Sequence, residues 1–168
     1  MLRFALLIPL FLLTACGGEA PNVPSNGTPA PAFKAERLSG GTLELPGDLA
    51  GKVVAIRFWA DWCPYCRNEM AALNPLYADL KAQGMEMLAV NVAQGRDRIE
   101  PFVADLKIVY PVLFDPDGRI ARSYGVSALP VTWFVDREGR LRGKIVGEST
   151  PDIFLARARE LLGKPHGQ

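Results

Sequence analysis

The sequence predicts an α/β fold: a central mixed β-sheet with helices on both faces, preceded by a short β-hairpin. Three observations carry this expectation. Apolar, β-branched runs alternate with segments of helical spacing in the order β-α-β-α-β-α-β-β-α. The run Val53 to Trp59 leads directly into Trp62-Cys63-Pro64-Tyr65-Cys66, a Cys-x-x-Cys at a helix start. Glycine and proline stand at the junctions between these segments, where a chain must turn.

Taken in order, Phe33 to Leu38 and Thr42 to Leu45 alternate across Ser39-Gly40-Gly41 and read as the leading hairpin. Gly51 opens the first core strand, Val53 to Trp59. A helix follows from about Pro64 to Gln83, with Pro75 as a kink and Gly84 ending it. Met85 to Val92 is the next strand. Ile99 to Leu106 has helical spacing, and Pro111 opens a short strand, Val112 to Phe114. Asp115-Pro116-Asp117-Gly118 is a turn, Arg119 to Tyr124 a short helix, and Val131 to Val135 a strand after Pro130. Asp136 to Gly139 turns the chain into Arg140 to Val146. Thr150 and Pro151 then start a last helix that Gly163 ends.

The N-terminus reads as an export signal. Residues 1–15 hold one charge, Arg3, and the apolar stretch Phe4 to Leu13, too short to span a bilayer. They lead into Leu13-Thr14-Ala15-Cys16-Gly17, similar to a bacterial lipobox, in which cleavage precedes the cysteine and that cysteine is lipidated. The plainer alternative is a secretory signal with a chance cysteine. With Cys16 acylated, the mature protein is anchored to the lipid bilayer without spanning it. Residues 16–31, rich in Gly, Pro, Asn and Ser, read as a flexible tether. Residues 32–163 form one domain of ordinary size, and 164–168 a polar tail.

Removing residues 1–15 leaves eighteen basic and eighteen acidic residues, a balance that argues against nucleic acid as the main partner. Export also sets the redox compartment. Disulfides persist outside the cytoplasm, so a Cys-x-x-Cys there is kept in its working state by a partner, expected to be membrane-bound.

Two residues between Cys63 and Cys66 let the sulfurs close a small ring across one helical turn. The first sulfur sits where unpaired backbone N–H groups and the helix dipole favour a thiolate, so Cys63 is the expected nucleophile of thiol–disulfide exchange. The same spacing also makes half of a zinc site. Zinc needs further ligands, and the only other cysteine and histidine are Cys16 and His166 near the two ends. A Cu(I) site on the two thiolates, with Met70 as a third ligand, is harder to exclude, because that soft ion accepts few ligands.

The segments Gly51-Lys52-Val53-Val54, Phe58-Trp59-Ala60-Asp61-Trp62-Cys63, Glu69, Ala89 to Val92 and Tyr124-Gly125-Val126 through Leu129-Pro130-Val131-Thr132 resemble one family. It is the TlpA/ResA/CcmG-like thiol–disulfide oxidoreductases of the thioredoxin superfamily, over nearly the whole mature domain. The resemblance implies a thioredoxin-like fold with a strand–helix insertion, a redox-active disulfide and no other cofactor or metal. It implies that Pro130 is a cis proline facing the cysteines, and that the Leu129 backbone is free to pair with substrate. Glu69 tunes the cysteines; the alternative is a solvated helix glutamate. Trp62, Pro64 and Tyr65 border the substrate, whereas Phe58 and Trp59 pack in the core.

The implied partners are a membrane-bound thiol electron donor of the DsbD/CcdA type and exported cysteine-containing proteins, serving cytochrome c maturation or copper-site assembly. A disulfide-donating oxidase uses the same residues in reverse. Thiol peroxidases of the wider superfamily need Pro-x-x-x-Thr-x-x-Cys, and here Ile56 and Ala60 fill the first two positions. Arg57 departs from the family, which has a small polar residue there. Either it pairs with an acid such as Glu69, or the strand end is open to solvent.

Overall fold

The computed structural model describes residues 24–163. The signal segment, Cys16 and the tail with His166 lie outside the described residues. The elements are β1 (Phe33–Glu36), β2 (Thr42–Leu45), a 3-10 turn (Gly47–Leu49), β3 (Val53–Trp59), α1 (Pro64–Ala82), β4 (Met85–Val92), α2 (Arg96–Asp105), β5 (Val112–Asp115), α3 (Arg119–Ser123), β6 (Val131–Val135), β7 (Leu141–Val146) and α4 (Pro151–Leu162). This is the predicted order.

The central sheet runs β5-β4-β3-β6-β7, with β1-β2 as a separate hairpin. Strands β3, β4 and β5 are parallel, and β6 and β7 are added antiparallel. All seven residues of β3 are buried, as expected of a central strand covered on both faces. One apolar cluster packs Val53, Ala55 and Trp59 of β3 against α1, α2 and α4 and includes both cysteines. The other packs Val54, Ile56 and Phe58 against the hairpin and the α3 region. The period-two alternation of β3 thus assigns each of its residues to one of two cores.

Several boundaries differ from the sequence reading, each for a local reason. Strand β1 stops at Glu36, because Arg37 already closes the turn by receiving the Gly40 N–H and donating to Gly41 C=O. Helix α1 runs through Pro75 as the single element expected, one residue shorter at its end, and buries Met70, Leu73, Tyr77 and Leu80 on both sides of that proline. Helix α2 begins three residues early, at Arg96, with a polar first turn that carries no hydrophobic signal. Strand β5 takes in Asp115, whose carboxylate receives the N–H groups of Ile120 and Ala121 at 3.0 and 2.8 Å and so starts α3. Thr150 caps α4 with Pro151 at its first position, as predicted.

The expected tether is corrected at its C-terminal end. The Gly27 N–H donates to Leu141 C=O (2.7 Å), Leu141 N–H to Thr28 C=O (2.9 Å) and Ala30 N–H to Gly139 C=O (2.9 Å). Residues 27–30 therefore pair with the open backbone at the start of β7. Backbone pairing is indifferent to the lack of apolar side chains that suggested a tether.

Candidate active site

Strand β3 delivers the chain to the mouth of the sheet, where the segment from Ala60 to Cys63 is pinned from three sides. The Asp61 N–H donates to Gln94 Oε1 (2.9 Å), and Gln94 Nε2 returns a bond to the Asp61 carboxylate. Asn91 at the end of β4 also donates to Gln94 Oε1 (3.0 Å), and Arg98 of α2 pairs with Asp61 at 3.1 Å. The Cys63 N–H donates to Ala60 C=O.

Cys63 is the N-cap of α1, in extended conformation, with Pro64 at the first helical position. Cys66 follows one turn later and forms a disulfide with it, at a Cα–Cα distance of 5.4 Å. No acidic side chain stands in the first turn of α1, so the positive end of the helix dipole acts on Cys63 unopposed by a local carboxylate. Both cysteines are buried, while Trp62 and Tyr65 beside them are 66% and 53% exposed. Among the described residues these are two of the few large exposed apolar side chains, and they flank the disulfide.

The Leu129–Pro130 bond is cis. Because Val131 pairs with Phe58, the register carries Leu129 and Pro130 alongside the end of β3, next to the loop that ends in Cys63. Leu129 is half-buried and packs on both clusters, including the one with the two cysteines. The Pro130 carbonyl receives the Gly147 N–H (2.8 Å).

Glu69 is not a solvated helix residue. It is 4% exposed, as is Arg57. The Arg57 fork meets both carboxylate oxygens, Nη1 to Oε1 and Nη2 to Oε2, each at 2.7 Å. Of the two expectations for Arg57, pairing with Glu69 is the one realised. Arg57 Nη1 also donates to Thr132 Oγ1 (3.1 Å), and Ser149 donates to Glu69 from its hydroxyl (2.7 Å) and its N–H (3.3 Å). Tyr110 lies near this pair. Its hydroxyl donates to Met70 C=O (3.0 Å), and burial pushes its titration far above the ordinary phenol range.

Sequence reasoning missed Ser149, Gln94, Asn91 and the Asp61–Arg98 pair. Thr132 carried a partial signal: it follows Pro130 by two residues, so strand alternation sets it on the Arg57 side of the sheet. Ser149 carried none, being 80 positions from Glu69. Among the described residues no group of three or more His, Cys, Asp or Glu side chains is placed to hold a metal ion.

A mixed sheet with helices on both faces, a helix-capping Cys-x-x-Cys disulfide and a neighbouring cis proline define a thiol–disulfide redox protein on a thioredoxin-like scaffold. The chain belongs to the AhpC/TSA family, whose model matches residues 26–144. It is similar to the thiol-disulfide oxidoreductase ResA of Geobacillus thermodenitrificans, 35% identical over 126 residues, which is 75% of this chain and 72% of that protein. ResA of Bacillus subtilis is 35% identical over 130 residues, 77% of this chain and 72% of the relative. Among solved structures, a Chlorobium tepidum protein assigned as thiol:disulfide interchange protein DsbE is 32% identical with a TM-score of 0.75, covering 83% of this chain and 97% of its own. A secreted thiol-disulfide isomerase from Corynebacterium glutamicum is 28% identical with a TM-score of 0.72, covering 80% and 86%. The protein is a thiol–disulfide oxidoreductase of the ResA/DsbE type with a Cys63–Cys66 pair.

Proposed function

We propose that this oxidoreductase is a membrane-anchored, extracytoplasmic reductase of disulfides in exported proteins. The observation that carries the exchange chemistry is the placement of Cys63 as the N-cap of α1 with no acid in the first turn. There the unpaired N–H groups and the dipole favour a thiolate in the reduced protein. The Cys63 thiolate attacks one sulfur of a substrate disulfide, that S–S bond breaks, and the leaving sulfur takes up a proton. Cys66, losing its proton, then attacks Cys63 Sγ and releases the second substrate thiol. Two electrons have passed to the substrate, and the pair ends as the Cys63–Cys66 disulfide, the state seen here.

Trp62 and Tyr65 are the apolar contacts for the substrate, and the segment at Leu129 offers backbone to an extended peptide. Candidate substrates are the haem-binding cysteines of apocytochromes c and the copper-site cysteines of oxidase assembly factors. The electron donor is a membrane thiol protein of the DsbD/CcdA type. Lipidation at Cys16 supplies the anchor, consistent with the lipobox pattern; no described helix is long and apolar enough to cross a membrane. The reductive direction is supported by the likeness to ResA and by the size of the insertion, whose single helix has ten residues.

The test is the equilibrium reduction potential of the Cys63–Cys66 pair in the full chain in detergent, measured in glutathione buffers. A value near that of thioredoxin, about −270 mV, is expected. A value near the strongly oxidising end, about −120 mV, sinks the reductase and makes the protein a disulfide donor.

A further inference from the structure

Arg57 stands at the one position of β3 where a charge meets the dithiol core. Its same-parity neighbours Val53, Ala55 and Trp59 all join the apolar cluster that contains Cys63 and Cys66. Thr132, its antiparallel partner in β6, shares that face. Glu69 reaches the same place from α1, three residues past Cys66, so the two side chains are neighbours on one helix face, with Cβ atoms about 5–6 Å apart.

The four residues form one hydrogen-bonded network. Arg57 grips both Glu69 oxygens and Thr132, and Ser149 adds two donors to the carboxylate. This network ties together β3, the helix bearing the dithiol, the strand that follows Pro130 and the loop before α4. Its arginine Nε is buried without a partner, so the fork alone holds the guanidinium in place.

The charge matters because reduction changes charge at the neighbouring sulfurs. The disulfide is neutral. Reduction adds two electrons and, where Cys63 remains a thiolate, one proton, which Cys66 carries; the pair gains one negative charge. A lone carboxylate one turn away opposes that charge and a lone guanidinium favours it. At this separation, in a partly screened interior, either effect is worth tenfold or more in an equilibrium constant. The other charges near the dithiol, Asp61 with Arg98 and Arg67 with Asp105, are ion pairs with solvent-exposed arginines that water screens.

We propose that Arg57 is a positioning residue that sets the reduction potential of the Cys63–Cys66 pair by neutralising Glu69 beneath it. The effect applies to electron flow in either direction, so it stands apart from the reductase reading. Glu69 acts on the sulfurs as half of a neutral unit, and Arg57 decides what charge the reduced pair meets.

The experiment measures the glutathione equilibrium constant of the full-length pair in three variants. Glu69→Gln keeps the guanidinium and one of the two acceptor oxygens that meet its fork, and is expected to favour the reduced form about tenfold, which is about 30 mV for two electrons. Arg57→Met leaves the carboxylate alone and shifts the constant in the opposite direction. Arg57→Met/Glu69→Gln, with both charges gone, returns to within about twofold of the parent, a reversal that loss of structure does not produce. A folded single variant whose constant equals that of the double variant overturns the proposal. The unsubstituted protein gives a second readout that needs no substitution. On reduction of the disulfide, the Glu69 carboxyl carbon and Arg57 guanidinium resonances must both move, and unchanged resonances overturn the proposal as well.

Discussion

On the face of the sheet that meets the hairpin and α3, Val54, Ile56, Phe58, Leu88, Val90, Val131, Trp133 and Val135 form an apolar middle. Asp115 sits at the strand end, as a cap for α3. On the opposite face Arg57 and Thr132 sit among apolar residues such as Ala55, Ala89 and Phe134, with Asn91 toward the strand end and Glu69 brought down from α1. Burying such groups costs several kcal/mol unless every one is bonded, and replacing a buried ion pair by apolar groups is often stabilising by about 1–4 kcal/mol. The two faces therefore do different work. One supplies stability; the other gives up part of it to place charge and polar anchors around the disulfide.

The comparison breaks most visibly under Phe58→Ala. Phe58 is fully buried on the apolar face, with its ring centroid 5.4 Å from that of Tyr124. Truncation is expected to cost about 3–5 kcal/mol in urea unfolding. Phe58 lies next to Arg57 in sequence but on the other side of the strand, so the glutathione constant of the folded fraction is expected to stay within about twofold of the parent. A potential that falls with stability would show that the faces are not separable.

How far the sequence could be read follows the same division between local and distant causes. Several strand and helix ends were legible where glycine, proline or a capping residue marked them, as at Gly84, Thr150 and Gly163. The cysteine pair and the bend at Pro130 were legible because each is a short motif with its own geometry. The start of α2 was not, since Arg96-Asp97-Arg98 puts no apolar residue on a helical face. Nor was the pairing of residues 27–30 with β7, which uses only backbone. At Arg57 the strand pattern predicted burial, but the choice of partner depended on how α1 packs on β3. The Ser149 and Gln94 contacts bridge 80 and 33 positions, and nothing local to either residue announces them.

A smaller effect is expected where the reactive face opens to solvent. Trp62 touches the chemistry only through what it presents to a partner, so Trp62→Ala is expected to raise KM for a protein disulfide about tenfold, with kcat within about threefold. The KM-against-kcat split is the readout. A fall in kcat with KM unchanged would move Trp62 from substrate contact to support of the Cys63 loop.

The smallest effect belongs to the edge of the apolar face. Asp117, in the turn before α3, receives the Arg119 N–H at 3.1 Å, and that backbone bond, with the positive charge of Arg119, holds its carboxyl below the usual range. The folded-state value is depressed, so the stabilisation is present at neutral pH and is lost as pH falls through the lowered value. Asp117→Ala is therefore expected to lower the urea midpoint slightly at pH 7 and to match the parent in acid, with no change in the glutathione constant at either pH. A difference that persisted in acid would mean the side chain acts through the shape of the turn, not its charge. A shifted constant would carry charge effects from this face to the disulfide and erase the separation that Phe58→Ala is meant to test.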